Sequence, residues 1–517
     1  MDLAPPVIDA PAPVPVAPGL DAAPPVPLGG VDLDLDHARA VAELADHARA
    51  FARTPPREKA ALLRATLPRL LEAAPELAAA VCRVRGLDAA SPAAAEAWLA
   101  GVAPVIAYVR LLAEALEDIA TSGRPSLPAT ALYKRPEGRL VARLTPRTWA
   151  ERAAQPGRET TVLFAEGTQP EDVIAAQAAF YRQSEPEGGV ALVLAAGNDA
   201  TAGVMDALFA LFVEGKTAIL APGTLATASG RLFERALAPL VDRGFLRVAH
   251  GDAGEHLAGH PGVTSVLRAA PGDAGALLVV PCLYARDELG HLARSVAAQV
   301  AHGIAAPRVL VLPAGWLQQA LFVDLLEKAL AANPPHPDRA DRPRWTVVPR
   351  SHGGDAREPL FSTDLESNVI SLVSIGSDDP LDFLGAATDF CDERLREMRS
   401  AQITVHPIHE EDPEIGAALE RAVIRLRCGA VGVNQWPALL AWAAAAPWGG
   451  HPGERAGFRH NARMLDGIDK AILHGPLLGL RRPAYFTGDP AARRIGERVA
   501  AFQAAPSLRG IWGIGGR

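Results

Sequence analysis

Short runs of apolar residues alternate along most of the chain with longer stretches that are apolar at every third or fourth position. The first pattern is that of buried strands, the second that of amphipathic helices. From Asp36 to about Ile119 helical spacing dominates, as in HARAVAELADHARAFARTPPREKAALLRATLPRLLEAAPELAAAVCRV. Asp36 is the expected N-cap of the first helix. Thr54-Pro55-Pro56 interrupts the pattern and restarts it, since proline fits a helix in its first turn. Within residues 131–167, ALYKRPEGRLVARLTP and TTVLFAEG read as strands, the first as a ribbon.

Strict alternation begins with GGVALVLAAGN, a buried strand ending in a turn. ATAGVMDALFALFVEG follows as a helix ending at Gly215, then KTAILAPG as a strand and ASGRLFERALAPLVDRG as a helix. FLRVAHG and HPGVTSVLRAAP complete a four-strand set. A second block runs ALLVVPC, ARDELGHLARSVAAQVAHG, PRVLVLPAG and WLQQALFVDLLEKALAA, and continues through ESNVISLVSI, PLDFLGAATDFCDERL, AQITVHP and AVGVNQW. Strands that alternate with helices form parallel, doubly wound sheets, with ligands expected at the C-terminal strand ends. The expected organisation is a tail over 1–30, N-terminal helices with a dinucleotide-type domain over 31–275, a second α/β domain over 276–475, and a C-terminal segment over 476–517.

Composition adjusts this picture in three ways. At 517 residues the chain exceeds one ordinary core, and 49% hydrophobic content with only 5% aromatics suits layered packing of small aliphatics. A net charge of -8 without a basic stripe argues against nucleic acid. The four cysteines, Cys82, Cys282, Cys391 and Cys428, form no CxxC pair, which fits a reducing, cytoplasmic setting. No apolar run is expected to span a bilayer, and the start of the chain lacks a signal-peptide pattern. The Pro- and Ala-rich residues 1–30 read as an extended tail, either a solvated leader or a strap for a partner subunit.

Two clusters invite chemistry. His406-Pro407-Ile408-His409-Glu410-Glu411 reads as a surface turn, a metal site lacking a third clear ligand. Trp436, Trp442 and Trp448 read as core aromatics or an aromatic-lined loop.

The order of motifs after the leader resembles the aldehyde dehydrogenase superfamily. VALVLAAGNDATAGVMDAL, KTAILAPGT, LVDRGFLRVAHG, HPGVTSVLRAA, QVAHGIAAPRVLV, LRCGAVGVNQWPALLAWAAAAPWGGHPGE and FRHNARMLDGIDKAIL carry the resemblance in sequence. It implies two doubly wound α/β domains, an oligomerisation β-ribbon near 131–150, NAD(P) as cofactor, and a homo- or hetero-oligomer without nucleic-acid or membrane partners. Asn198 falls on the family's oxyanion-hole asparagine, and Glu366 on the glutamate that holds the nicotinamide ribose.

The departures are equally specific. Ala221 stands where the family has a cofactor-binding lysine. Leu267-Arg268-Ala269-Ala270 replaces its Gly-Ser turn, so Arg268 either blocks the nicotinamide site or pairs with an anion. PGDAGALLVVPC follows so soon that the stretch carrying the family's general-base glutamate is read as deleted. In QVAHGIAAPRVLV, the nucleophile's position ahead of Arg308-Val309 falls on Gly303 or Ile304, or is deleted. Thiol-dependent aldehyde oxidation needs a thiolate, an oxyanion donor and a base. The resemblance supplies a candidate only for the donor. The leading expectation is a catalytically degenerate homologue acting as a scaffold or regulatory subunit, with NAD(P) binding retained or lost. The competing expectation is an NAD(P)-dependent oxidoreductase on an aldehyde or acyl substrate, with relocated residues including Cys282 as a replacement nucleophile. A sensor that binds a small molecule in the old tunnel is a third. No metal is expected.

Overall fold

Proline sets the boundaries of the first helices. The computed structural model describes residues 33–84, 87–154, 156–195, 200–221, 226–249, 254–268, 274–302, 305–333, 344–350, 368–395, 398–440, 444, 446–447, 450, 460–477, 490–507 and 510. Helix α1 (Leu33–Arg53) ends before Thr54, and α2 (Pro56–Val84) starts on Pro56. Because α1 begins at Leu33, Asp36 lies in its first turn and is not the N-cap. A helical run over Pro92–Ser122 ends in α3 (Ala103–Ser122), closed by Gly123 at φ 81. Contrary to expectation, this run is long and apolar enough to cross a membrane. Its apolar stretch is 83% buried inside the protein, as suits a helix apolar all round at the centre of a core.

A ribbon follows, with β1 (Leu132–Lys134) antiparallel to β2 (Leu140–Thr145). Then come α4 (Trp149–Ala154), β3 (Glu159–Phe164) and α5 (Pro170–Ala176). The small parallel sheet is made from β4 (Val190–Leu194), α6 (Ala200–Phe212), β5 (Thr217–Ala221), α7 (Ala226–Ala236), α8 (Ala238–Val241), β6 (Leu246–Val248), α9 (Gly254–Ala258) and β7 (Ser265–Arg268). Its order is β6-β5-β4-β7. The single helix expected after β5 is two, interrupted at Leu237 before Pro239.

The large sheet begins with β8 (Ala274–Val279), α10 (Arg286–His302), β9 (Ala306–Pro313) and α11 (Gln319–Ala331). It continues through β10 (Thr346–Arg350), β11 (Val369–Ile375), α12 (Pro380–Arg394), β12 (Ser400–Thr404), α13 (Pro407–Glu410), α14 (Pro413–Arg425), β13 (Ala430–Val433) and β14 (Ile468–His474). The last helix, α15 (Ala492–Ala504), packs against α3. The order is β1-β2-β3-β14-β13-β12-β8-β9-β11-β10. From β14 to β10 all neighbours are parallel, whereas β3 joins β14 antiparallel. The ribbon therefore extends this chain's own sheet.

Side-chain alternation explains why both sheets are covered on two faces. In β4 and β5, Ala191, Val193, Ala218 and Leu220 share a core with α2, α3 and α6. Their neighbours Val190, Leu192, Ile219 and Ala221 pack with Val41 and Leu44 of α1. In β8 and β9, Ala276, Leu278, Val309 and Val311 face α12 and α14, while Leu277, Val279, Leu310 and Leu312 face α10 and α11. Near-continuous apolar runs are what strands buried on both faces require.

Candidate functional site

The C-terminal ends of the small sheet are plain. Ala195 follows β4 and its N–H donates to the Ala221 carbonyl at 3.0 Å. Ala221 closes β5 and Ala249 follows β6, so the last described residue at each of these three adjacent ends is an alanine. Arg268 is exposed at the last position of β7. A Cβ on Gly203 of α6 would lie 2.6 Å from the Ala195 Cβ, so the missing side chain lets the helix approach the strand end closely. Asn198 and Glu366 lie outside the described residues, as do Trp442, Trp448, Gly303, Ile304 and the tail over 1–30. Residues 269–273 alone separate β7 from β8.

The start of β9 is closed. Ala305, at φ 45, is buried just before the strand. The Trp436 indole N–H donates to its carbonyl at 3.2 Å, and Trp436 is fully buried with Ala298, Ala305 and Ala438. Trp436 comes after β13, at the other end of the sheet, yet reaches β9 because the chain reverses at Asn434 (φ 56). It then lies flat across the sheet: a Cβ on Gly432 would sit 2.0 Å from the Gln435 carbonyl oxygen. Arg308 is buried, its guanidinium 5.0 Å over the Trp345 ring. Ser400, Gln402 and Thr404 share one face of β12, each with a buried side-chain oxygen that has no partner among the described residues. Such oxygens are natural positions for internal water.

Cys282 lies at the opposite end, in the loop after β8. Six strand residues at ~3.3 Å each put it about 20 Å from the start of β9. Its carbonyl accepts from the Trp316 indole at 3.0 Å. Partial burial pushes the thiol upward, the Leu283 N–H opposes this, and the Glu288 charge adds to it. The other three thiols are fully buried. Burial raises Cys428 to about 11, and raises Cys391 with help from Cys428 and Asp392. A reactive cysteine has the reverse shift. Among the described residues, Cys282 packs against the cluster of β8, β9 and β11, separate from the cluster that holds Ala221.

Two groupings were not visible in local spacing. His460 Nε2 meets Asp206 Oδ1 at 2.9 Å in the buried interior, and the Tyr108 ring stands edge-on to His460. The Tyr108 hydroxyl is buried without a partner among the described residues, and burial with the Asp206 charge drives it well above its ordinary range. His460 is held at φ 65, an uncommon conformation for a residue with a Cβ. Three residues so far apart in sequence give no motif to read. The second grouping surrounds Cys282: His406 caps α13 through Nδ1, with Nε2 3.6 Å from Glu288. His406 thus serves a helix start. Among the described residues, no three His, Cys, Asp or Glu side chains converge as a metal site.

No family model matches the chain, and no curated protein does. Solved structures do. A mutant of the aldehyde dehydrogenase AldC from Pseudomonas syringae, complexed with NAD+ and octanal, matches at TM-score 0.53 and 15% identity, covering 85% of this chain and 88% of that one. An NADP-dependent glyceraldehyde-3-phosphate dehydrogenase from Bacillus halodurans C-125, complexed with NADP, matches at 0.53 and 12% identity, covering 85% and 91%. A Thermus thermophilus 1-pyrroline-5-carboxylate dehydrogenase mutant matches at 0.56 and 12%, covering 85% and 86%. Strand order, alternating helices and these likenesses together establish that the chain is built on the aldehyde dehydrogenase fold.

Proposed function

We propose that this chain is a catalytically degenerate protein of the aldehyde dehydrogenase fold, acting by binding as a scaffold or regulatory subunit in a homo- or hetero-oligomer. The start of β9 carries the proposal. None of the four cysteines is there, and Trp436 fills the space against Ala305. Aldehyde oxidation through a thiohemiacetal has no sulfur to begin from. The short β7–β8 connection supports the loss of the base-bearing stretch.

The fit to NAD(P) is poor among the described residues. Two structural neighbours are complexed with NAD+ or NADP, but here Ala195, Ala221 and Ala249 offer no side-chain polar atom at the strand ends. The Ala221 methyl cannot hydrogen-bond a ribose, and the fold alone does not confer the ligand. The test is calorimetry with NAD+ and with NADP+ on the full chain, followed by an aldehyde panel on the same sample. Negligible heat and no nicotinamide reduction are expected. Tight binding with turnover overturns the proposal.

A second reading, an oxidoreductase with relocated residues, is favoured by the buried Asp206–His460 pair beside Tyr108. A carboxylate that orients an imidazole is the arrangement a general base needs. Under this reading, any turnover falls by about 100-fold or more in His460→Ala, as loss of a general base does. Unchanged turnover in Cys282→Ala removes that thiol from the account.

A further inference from the structure

Four of the chain's exposed large aliphatic side chains stand at the C-terminal ends of four adjacent strands. Leu283 is 80% exposed after β8, Leu317 93% after β9, Leu381 39% after β11, and Ile408 63% after β12. The strand order β12-β8-β9-β11 makes these loops neighbours. At ~4.8 Å between strands, the row spans about 15 Å. Isolated exposed leucines need no explanation, but several gathered on one edge do.

The loops are fixed by their own hydrogen bonds. The Gln318 amide accepts from Tyr284 N at 2.9 Å and donates to Tyr284 O at 2.8 Å. Trp316 donates to the Cys282 carbonyl, and the Tyr284 hydroxyl to Val280 O at 2.8 Å. Tyr284 also sets its ring against Trp316 and His406. Asp379 caps α12 through Leu381 N and Asp382 N. A surface held this way needs little ordering when something binds to it.

Charge selects what binds. Asp287 and Glu288 flank Leu283, and Asp378, Asp379 and Asp382 flank Leu381. Glu410, Glu411 and Asp412 follow Ile408, with Glu410 paired to His474; Arg286 is the one Lys or Arg in these loops, and Arg350 ends the neighbouring β10. Several of these carboxylates are there because helix N-termini favour acids. The resulting field is still negative around an apolar row. We propose that this edge docks a basic amphipathic segment of another protein, its apolar face on the leucines and its Lys or Arg residues on the acidic rim. The chain's own residues 1–32 suit it poorly, being apolar but carrying aspartates and no Lys or Arg. A second copy would set acidic rim against acidic rim. The proposal stands on this edge alone and holds whether or not the chain oxidises aldehydes.

The test uses the full chain and fluorescence anisotropy with two labelled helical peptides of about 18 residues. One segregates leucine and lysine to opposite faces; the other has glutamate for lysine. The leucine–lysine peptide is expected to bind at least ~10-fold tighter than its counterpart, and more weakly as salt rises. The double variant Leu283→Ser, Leu317→Ser keeps every charge and is expected to lose about 10-fold in affinity. Its thermal midpoint should not change, and Leu71→Ser, far from the edge, should bind normally. Equal binding of the two peptides, or undiminished binding by the double variant, overturns the proposal. It is equally overturned if binding appears only after removal of residues 1–30, which assigns the edge to the tail. Sedimentation showing a dimer dissolved by Leu317→Ser assigns it to a second copy.

Discussion

The two ends of the large parallel sheet are built from the same seven strands and could hardly differ more. At the start of β9 the chain is shut: the Ala305 carbonyl accepts from the indole of a fully buried Trp436. At the other end the loops are rigid but open, with Leu283 and Leu317 in solvent. Architecture places loops at both edges, and residues decide which becomes a site. Here the closed end is where the sequence resemblance leads one to expect a nucleophile, and the open end is where the proposed partner has something to hold.

The largest test of this contrast is Trp436→Ala. It removes a fully buried indole over Ala305, and is expected to cost ~3–5 kcal/mol. Chemical denaturation measures this. A cost near zero would mean that the closed end is not packed as described. Gly432→Ala comes next. Its new Cβ would meet the Gln435 carbonyl at 2.0 Å, so the return of the chain across the sheet must shift, at ~1–3 kcal/mol. A wild-type midpoint would show that the return is loose.

Gln318→Leu acts at the open end and should cost less, about 1–2 kcal/mol, for the two hydrogen bonds to Tyr284. Hydrogen exchange should rise at residues 282–285 and stay unchanged around β9. Exchange that spreads to β9 would break the independence of the two ends.

Cys282 gives the smallest effect on stability and the sharpest on access. It is the one cysteine not fully buried, and partial burial raises its thiol above the ordinary range. The thiolate is the reactive form, so alkylation of the native chain should be slow at pH 7 and accelerate only above the ordinary thiol range. Mass spectrometry should find the label on Cys282 and not on Cys82, Cys391 or Cys428. Rapid labelling at neutral pH would point to an activated thiol and revive Cys282 as a nucleophile.

Much of the scaffold was legible because strands and helices write their periods into the chain. VALVL and, apart from Thr217, TAILA are apolar since both faces are buried, and Thr54-Pro55-Pro56 marks a helix break by proline geometry alone. The start of α1 was misplaced at Asp36 because a good capping residue can also occupy a first turn. The spacing over 36–119 marks helices but does not single out the run over 92–122 as long and apolar enough to cross a membrane.

The site divides in the same way. The chain by itself determined that residues 299–305, which lead into β9, contain no cysteine, serine, threonine or lysine, since composition at a position needs no coordinates. It also determined the alternation that yields two parallel sheets. Only the tertiary structure decided that Trp436 crosses the sheet to cover Ala305, that Asp206 meets His460, and that Leu283, Leu317, Leu381 and Ile408 share one edge. Those pairings depend on strand order and chain reversal, which link residues tens to hundreds of positions apart. Local periodicity reports which face a residue takes, and it carries no information about which distant face lies opposite.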